Sequence, residues 1–111
     1  MRLITARTVE RYAERHAGAA QALSDWCAMV EAARWRNADD VRRSCGVSAR
    51  PISDRRIVFN IVRNDHRIIC DVQYADPERG LNGILRVQFI GSHAEYDRVH
   101  AETVTLRSSA P

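Results

Sequence analysis

The spacing of apolar residues divides the chain into a helical first part and a strand-rich second part. In the first part, a helix is predicted because four residues follow helical spacing and share one face: Val9, Tyr12, Ala13 and His16. Thr5 precedes this helix as an N-cap, since its hydroxyl can accept a hydrogen bond from a first-turn N–H. Gly18 is a break, and a second helix is predicted from Ala19 to Ala33. The short link makes the pair a helical hairpin, and a third, shorter helix starts at Asn37 and ends at Gly46.

β-Strands are predicted where the spacing of apolar residues is no longer helical. The segments Ile57–Arg63, His66–Tyr74 and Ile84–Ile90 are rich in β-branched and apolar residues, and residues 2–5 indicate a short first strand. The order β-α-α-α-β-β-β-α is typical of an α+β fold. We therefore predict a small, mostly antiparallel four-stranded sheet with the helical hairpin on one face. Residues 1–111 are expected to form a single domain, with a disordered tail at 106–111.

The first two long strands are expected to form a hairpin around the turn Asn64-Asp65. A two-residue turn places Val62 opposite Arg67 and Phe59 opposite Cys70. Alternation along the strands then predicts one face that takes the helices, formed by Ile57, Phe59, Ile61, Ile68, Cys70 and Val72. The second face carries Asn60, Arg67, Asp71 and Gln73 among Val58, Val62 and Ile69. In the last strand, the same alternation places Leu85, Val87 and Phe89 on one face. The opposite face then carries Arg86, Gln88 and Ile90.

Three non-strand segments complete the second part of the chain. Residues 46–56, rich in Gly, Ser, Pro and Arg, are predicted to be a basic loop, and residues 75–83 a second loop. After Gly91, the sequence Ser92-His93-Ala94-Glu95 has the form of a capping box. A helix through about Val99 is predicted to follow it.

Positive charge is concentrated in the middle of the chain. The net charge is +3, and all 17 basic residues are arginine. Residues 34–67 hold nine arginines and four aspartates, a net charge of +5, whereas the remainder is slightly acidic. A basic segment on a near-neutral frame suits a polyanionic partner such as nucleic acid. A solvated surface whose charges pair with one another is equally compatible with the charge alone.

Cysteine usage and hydropathy favour a cytosolic protein. The cysteines Cys27, Cys45 and Cys70 show neither Cys-x-x-Cys spacing nor a histidine at zinc-ligand spacing, so reduced thiols and no bound metal are expected. No run of about 18 apolar residues is present. The first residues are too few and too polar for a secretory signal.

Three stretches of the chain together resemble the HigB toxins of the RelE-like superfamily. The first is the opening Met-Arg-Leu-Ile-Thr followed by a charged helix. The second is Val58-Phe59-Asn60-Ile61 through Asn64 to Arg67, similar to the family's Val-Phe-Asn-Ile-x-Gly-Asn-x-Tyr-Arg. The third is Ile90-Gly91-Ser92-His93-Ala94-Glu95-Tyr96-Asp97, close to the family's Ile-Gly-Thr-His-Ala-Glu-Tyr-Asp. The third motif is the most specific of the three.

The resemblance implies a toxin of a type II toxin–antitoxin system that cuts mRNA, often in association with the ribosome. It implies that no metal or other cofactor is needed, because the ribose 2′-hydroxyl attacks the adjacent phosphate. It also implies a partner, a helix-turn-helix antitoxin of the HigA kind encoded beside the toxin. The protein then has to help remove the proton from the attacking 2′-hydroxyl, assist the departing 5′-oxygen, and stabilise the extra negative charge on phosphorus.

Three residues are the catalytic candidates that follow from the resemblance. Arg67 matches the family's arginine and suits charge stabilisation, because a guanidinium offers two parallel donors to a phosphate; the alternative is a salt bridge with Asp71. His93 matches the family's histidine and can act as base or acid, although it also fits as a helix-start residue. Tyr96 can stack on a base or donate a proton, and it can equally anchor the last helix. The interpretation requires Arg67 and His93 to meet over one phosphodiester.

Seven further residues are RNA-binding candidates: Asn60, Arg63, Asn64, Arg86, Gln88, Arg55 and Arg56. Three of the chain's residues depart from the family pattern. Arg63 replaces a glycine, His66 replaces an aromatic residue, and Gln88 replaces an arginine of the last strand. Arg86 lies on the same predicted face as Gln88, and we hypothesise that its charge substitutes there. His66 and His100 are expected to be exposed.

Two other functions remain open at this point. A non-catalytic nucleic-acid-binding module would use the basic middle for phosphates and Trp35 for stacking. A degenerate toxin would survive as an interaction module. Gln88 and Arg63 are the departures that keep both alternatives open.

Overall fold

Five β-strands and four α-helices occur within residues 1–106, the part of the chain that the computed structural model describes. The strands are β1 (Arg2–Ile4), β2 (Ala49–Pro51), β3 (Arg56–Ile61), β4 (His66–Gln73) and β5 (Ile84–Ser92). The helices are α1 (Ala6–Arg15), α2 (Ala20–Ala32), α3 (Ala38–Cys45) and α4 (His93–Tyr96). The strands form one sheet in the order β1-β5-β4-β3-β2, in which only the β1–β5 pair is parallel.

The predicted α+β fold and its mostly antiparallel sheet are confirmed, but the strand count is wrong. The fifth strand is β2, which lies in the stretch predicted to be a basic loop. It pairs with β3 at the sheet edge, with Ala49 opposite Phe59 and Pro51 opposite Ile57. A proline is tolerated there because an edge strand leaves one row of backbone groups unpaired. Pairing with β3, rather than local propensity, therefore makes this segment a strand.

The helices follow the sequence prediction closely. Thr5 Oγ1 accepts from Thr8 N–H at the start of α1, and Asn37 Oδ1 accepts from Asp40 N–H at the start of α3. Helix α3 ends at Gly46. The positive φ of 56° at this residue is a conformation that suits glycine. Among residues 1–106, no helix combines the length and the apolar character that crossing a membrane requires.

One face of the sheet packs against α1 and α2 and contains the main hydrophobic core. Its strand residues are those predicted from the alternation, Ile57, Phe59, Ile61, Ile68, Cys70 and Val72, together with Leu85 and Val87. The helices contribute Val9, Tyr12, Leu23, Trp26 and Val30. Each buried aliphatic side chain contributes roughly 1.5–3 kcal/mol to this core. We call this side of the sheet the helix face and the other side the open face.

The register predicted for the hairpin between β3 and β4 is wrong. Ile61 lies opposite His66, and Asn60 lies opposite Arg67. The connection is therefore the longer loop 62–65, and positive φ angles fall at Val62 (51°) and Arg63 (60°) rather than at Asn64 and Asp65. The predicted faces survive because the shift preserves the two-residue alternation.

A β-bulge in β5 overturns the predicted position of Phe89. Val87 lies opposite Cys70 and Phe89 lies opposite Ile69, so Gln88 is the extra residue between them. Because a bulge inserts one unpaired residue, it reverses the alternation beyond it. Phe89 consequently lies on the open face, whereas Ile90 packs against the core of the helix face.

The chain beyond α4 crosses the open face. The helix itself is shorter than predicted, since it ends at Tyr96. Residues 97–106, which we call the C-terminal strap, place Val104 in a second hydrophobic cluster with Val58, Ile69 and Phe89. Leu106, part of the predicted disordered tail, donates its N–H to Gln88 Oε1 (3.3 Å). The rest of that tail, 107–111, lies outside the described residues.

Arg56 fastens the strap to the sheet. It is 7% exposed, and its Nε donates to Asp71 Oδ1 at 2.6 Å. Its Nη1 donates to the carbonyls of Ala101 (3.1 Å) and Val104 (2.5 Å). The guanidinium therefore joins β3, β4 and the strap.

We predict that Arg56→Met destabilises the fold by about 2 kcal/mol, because the carbonyls of the strap and Asp71 lose charged donors. The matched control is Arg55→Met, since Arg55 is the exposed neighbour of Arg56. Its effect should stay within about 0.5 kcal/mol. Urea unfolding of both variants measures the difference, and equal stabilities would contradict the assigned role of Arg56.

Candidate functional site

The candidate site lies where the open face of the sheet meets α4. Arg67 lies in β4, with Asn60 of β3 on one side and Gly91 of β5 on the other. At Gly91, a Cβ atom would lie 2.6 Å from Phe89 Cζ and 3.1 Å from Glu95 Cβ. Glycine at this position therefore allows α4 to approach the sheet next to Arg67.

The start of α4 is fixed by the predicted capping box. Glu95 N–H donates to Ser92 Oγ (3.2 Å), and Ser92 N–H donates to Glu95 Oε1 (2.9 Å). The backbone N–H of Ser92, which hydrogen-bonds the ionised carboxylate, lowers the pKa of Glu95. His93 N–H donates to the carbonyl of Asp65 in the hairpin loop (3.0 Å). These bonds tie α4 to the β3–β4 hairpin at the end of the sheet that carries Arg67.

Tyr96, at the end of α4, joins two arginines. The Arg67 Cζ atom lies 4.6 Å from the centroid of the Tyr96 ring, which is a cation–π distance. Arg50 of β2 donates from Nη2 to the Tyr96 hydroxyl at 3.4 Å. On the sheet, the ring packs beside Phe89 with centroids 6.5 Å apart. Tyr96 thus anchors α4 and also holds the guanidinium of Arg67.

Arg67 has no acidic partner in the part of the chain that the structure describes. Among residues 1–106, no carboxylate lies within ion-pair distance of it, and its Nε is buried without a hydrogen bond. The alternative of a salt bridge with Asp71 is wrong, because Asp71 binds Arg56. A half-buried, unpaired cation has lost part of its hydration without compensation. Such a group is suited to binding an anion.

His93 lies close to the same cluster along the chain. It is the first residue of α4, and Tyr96 follows three residues later, so the two side chains project from the same side of the helix. Its side chain is 52% exposed, and its Nε2 lies 3.5 Å from Asp97 Oδ2. An exposed imidazole oriented by a carboxylate can exchange protons with a bound ligand.

Three of the predicted RNA-binding residues occupy a different part of the open face. Arg56 is buried in its bonds to Asp71 and the strap. Gln88 donates from Nε2 to Asp71 Oδ2 (2.9 Å) and accepts from Leu106 N–H. Arg86 lies opposite Asp71, four residues along β4 from Arg67, which is about 13 Å. The structure thus does not bring these three residues to Arg67.

The other RNA-binding candidates are accessible or adjacent to Arg67. Asn60 is half-buried and directly opposite Arg67. Arg63 and Asn64 are exposed in the hairpin loop. Arg55 is exposed at the start of β3 and lines an open cavity of about 310 Å³ with Ser53, Asp71 and Glu102.

Sequence reasoning missed Arg50 and misplaced His66. Arg50 was counted in the basic segment but not assigned to the site, because strand β2 was not predicted. Trp35 is only 2% exposed and stacks near Phe59, so it offers no platform for a base. The non-catalytic alternative loses its stacking residue.

His66, expected to be exposed, is half-buried on the helix face. Its Nδ1 lies 2.7 Å from the Tyr12 hydroxyl, and His16 stacks on the Tyr12 ring with centroids 3.9 Å apart. Burial, with a smaller contribution from the charge of Glu95, raises the pKa of Tyr12 to about 12. The hydroxyl therefore stays protonated and forms a hydrogen bond with His66 Nδ1. This contact ties α1 to the start of β4, directly before Arg67.

The fold, with one face of the sheet covered by helices and the other bearing Arg67 beside α4, is consistent with that of the RelE-like toxins. A family model, HigB_toxin, described as the RelE-like toxic component of a toxin-antitoxin system, matches residues 19–99. The match covers well over half of the chain, and the chain belongs to this family. The matched region contains Arg67, His93 and Tyr96. A search of curated proteins found no match.

We predict that Tyr12→Phe lowers stability by about 1 kcal/mol at neutral pH, because His66 Nδ1 loses its hydrogen bond. Tyr74→Phe is the matched control, since the buried Tyr74 hydroxyl makes no hydrogen bond among the described residues. That variant should be at least as stable as the wild type. Denaturant unfolding checks both expectations.

The pH dependence should follow the raised pKa of Tyr12. The folded-state value of about 12 exceeds the ordinary value of 10.0, so the contribution is complete below pH 10 and is lost as the pH rises towards 12. Tyr12→Phe should remove this part of the alkaline loss of stability. An unchanged alkaline profile in the variant would count against the burial of the Tyr12 hydroxyl, which is the main cause of its raised pKa.

Proposed function

We propose that the protein is a metal-independent endoribonuclease that cleaves mRNA in the cytoplasm, in association with the ribosome. Cleavage of mRNA would thereby arrest growth. Membership of the toxin family supports this proposal. The observation that carries it is the Arg67 guanidinium, which is half-buried, stacked on Tyr96 in front of α4 and without an acidic partner among residues 1–106. This arrangement is suited to an anionic ligand.

The proposed reaction is a transfer within the RNA backbone. The ribose 2′-hydroxyl loses its proton and its oxygen bonds to the adjacent phosphorus. The bond from phosphorus to the 5′-oxygen of the next nucleotide breaks, and that oxygen takes up a proton. The products are a 2′,3′-cyclic phosphate and a free 5′-hydroxyl, so no metal and no external co-reactant are required.

Arg67 supplies the electrostatic part of this reaction. The phosphorus carries additional negative charge in the transition state, and a pre-oriented guanidinium can donate two hydrogen bonds to its oxygens. The Tyr96 ring holds the guanidinium in place at 4.6 Å. Within the described part of the chain, no carboxylate lies within ion-pair distance of Arg67 to compete with the phosphate.

His93 moves the proton in this proposal. An imidazole is the side chain best suited to exchange protons near neutral pH, and Asp97 lies close enough to orient it. The Tyr96 hydroxyl is the second group that can donate a proton. Asn60, Arg63, Asn64 and Arg55 are proposed to contact the RNA backbone on either side of the cleaved bond.

We predict that Arg67→Ala and His93→Ala each lower cleavage by about 100-fold or more, the usual effect of losing one electrostatic or proton-transfer group. Induced expression with mapping of new RNA 5′ ends measures this in cells, and growth arrest should disappear with the new ends. Arg79→Ala, which removes an exposed arginine from the loop at the far end of β4, is the control and should remain toxic. Full toxicity of His93→Ala and Arg67→Ala would rule out this site.

The family also implies an antitoxin partner. We propose that this partner is a small helix-turn-helix protein of the HigA kind, encoded beside the toxin. Co-expression of the neighbouring reading frame should abolish growth arrest, and the two proteins should co-purify. A neighbouring protein that neither binds the toxin nor restores growth would contradict the assignment of this partner.

A further inference from the structure

The candidate site contains a second guanidinium that the sequence motifs did not indicate. Arg50 lies in β2 opposite Val58, a residue of the second hydrophobic cluster on the open face. Since directly opposed residues of a sheet project to the same side, Arg50 belongs to the open face. Its Nη2 lies 3.4 Å from the Tyr96 hydroxyl, while Arg67 lies over the ring of the same tyrosine. The two cations therefore approach Tyr96 from its edge and from its face.

The last strand does not provide this second charge. Both polar atoms of the Gln88 side chain already form hydrogen bonds: Nε2 donates to Asp71, and Oε1 accepts from the Leu106 N–H. Arg86 lies opposite Asp71 rather than beside Arg67. A phosphodiester bound at Arg67 would consequently meet no cation from β5.

Arg50 is available to a ligand. It is exposed, and no carboxylate among residues 1–106 lies within ion-pair distance of it. Its bond to the Tyr96 hydroxyl is long, at 3.4 Å, and the acceptor is uncharged, so an anionic phosphate oxygen would be a stronger acceptor for the same donor.

We propose that Arg50 is an RNA-binding residue of the site, and that it supplies from β2 the second phosphate-binding guanidinium that Gln88 does not provide. The ligand is the phosphodiester backbone of single-stranded RNA. Arg67 and Arg50 then bind neighbouring phosphate oxygens on the two sides of Tyr96. This inference rests on the proposed function but concerns binding, which can be measured without cleavage.

The test uses a short single-stranded RNA with 2′-O-methyl riboses, which cannot form the attacking 2′-oxygen. Arg50→Ala should weaken its binding about tenfold, the usual effect of one lost charged hydrogen bond. The slope of log affinity against log salt concentration should fall by about 0.7, as expected for one lost phosphate contact. Arg79→Ala is the charge-matched control and should leave both quantities near the wild-type values. If Arg50→Ala and Arg79→Ala behave alike, the proposal is overturned.

A double-mutant cycle separates direct binding from positioning of Tyr96. Tyr96→Phe removes the hydroxyl that Arg50 contacts but keeps the ring beneath Arg67. If Arg50 binds phosphate directly, Arg50→Ala should still weaken binding about tenfold in the Tyr96→Phe protein. If Arg50 only holds the hydroxyl, the second substitution should have no further effect, and the proposal fails.

The same probe distinguishes this inference from the proposed function. If the wild-type protein binds the methylated RNA in an Arg50-dependent way but cleaves no unmodified RNA, the nuclease proposal fails and the role of Arg50 stands. If it cleaves RNA and Arg50→Ala changes neither binding nor cleavage, the nuclease proposal stands and the role of Arg50 is overturned.

Discussion

The ion pair between Arg56 and Asp71 determines the character of the open face. It is short, at 2.6 Å, and Arg56 is almost completely buried. By binding Asp71, Arg56 keeps that carboxylate in the part of the face under the strap, about 13 Å along β4 from Arg67. By donating to the carbonyls of Ala101 and Val104, it also holds the C-terminal strap over the apolar part of the sheet. The face is thus divided into a part under the strap, where charged groups bind one another, and a part near α4, where Arg50 and Arg67 contact Tyr96 and have no carboxylate partner among residues 1–106.

Much of the fold follows from local sequence signals. The alternation of Ile57, Phe59 and Ile61 determines the helix face, and it remains correct even though the hairpin register shifts. The caps at Asn37 and Ser92 are local hydrogen bonds, which a sequence motif specifies directly. Strand β2 and the bulge at Gln88 were not predictable in this way, because both arise from pairing with distant strands and from contacts with the strap.

The candidate site was predictable in part for the same reason. The motif around Ile90–Asp97 identified His93 and Tyr96, and the hairpin strand identified Arg67. Arg50 and Arg56 could not be assigned from sequence, since the two similar arginines differ only in what the fold places beside them: Asp71 and two carbonyls at Arg56, a tyrosine hydroxyl at Arg50. Arg86, the hypothesised replacement for the missing arginine, lies opposite Asp71 rather than beside Arg67. The distribution of partners, rather than the number of arginines, therefore distinguishes a structural arginine from one that is available to a ligand.

The central claim is that Arg67 and His93 act on one phosphodiester of RNA at the junction of the open face and α4. A crystal structure of the protein with an RNA that carries a single 2′-deoxyribose at the cleavage position tests it most directly. We expect the Arg67 guanidinium and the His93 imidazole to contact the phosphate that follows the deoxyribose, with the protein otherwise unchanged. Binding of the RNA elsewhere, or contacts of the two side chains with different phosphates, would contradict the account.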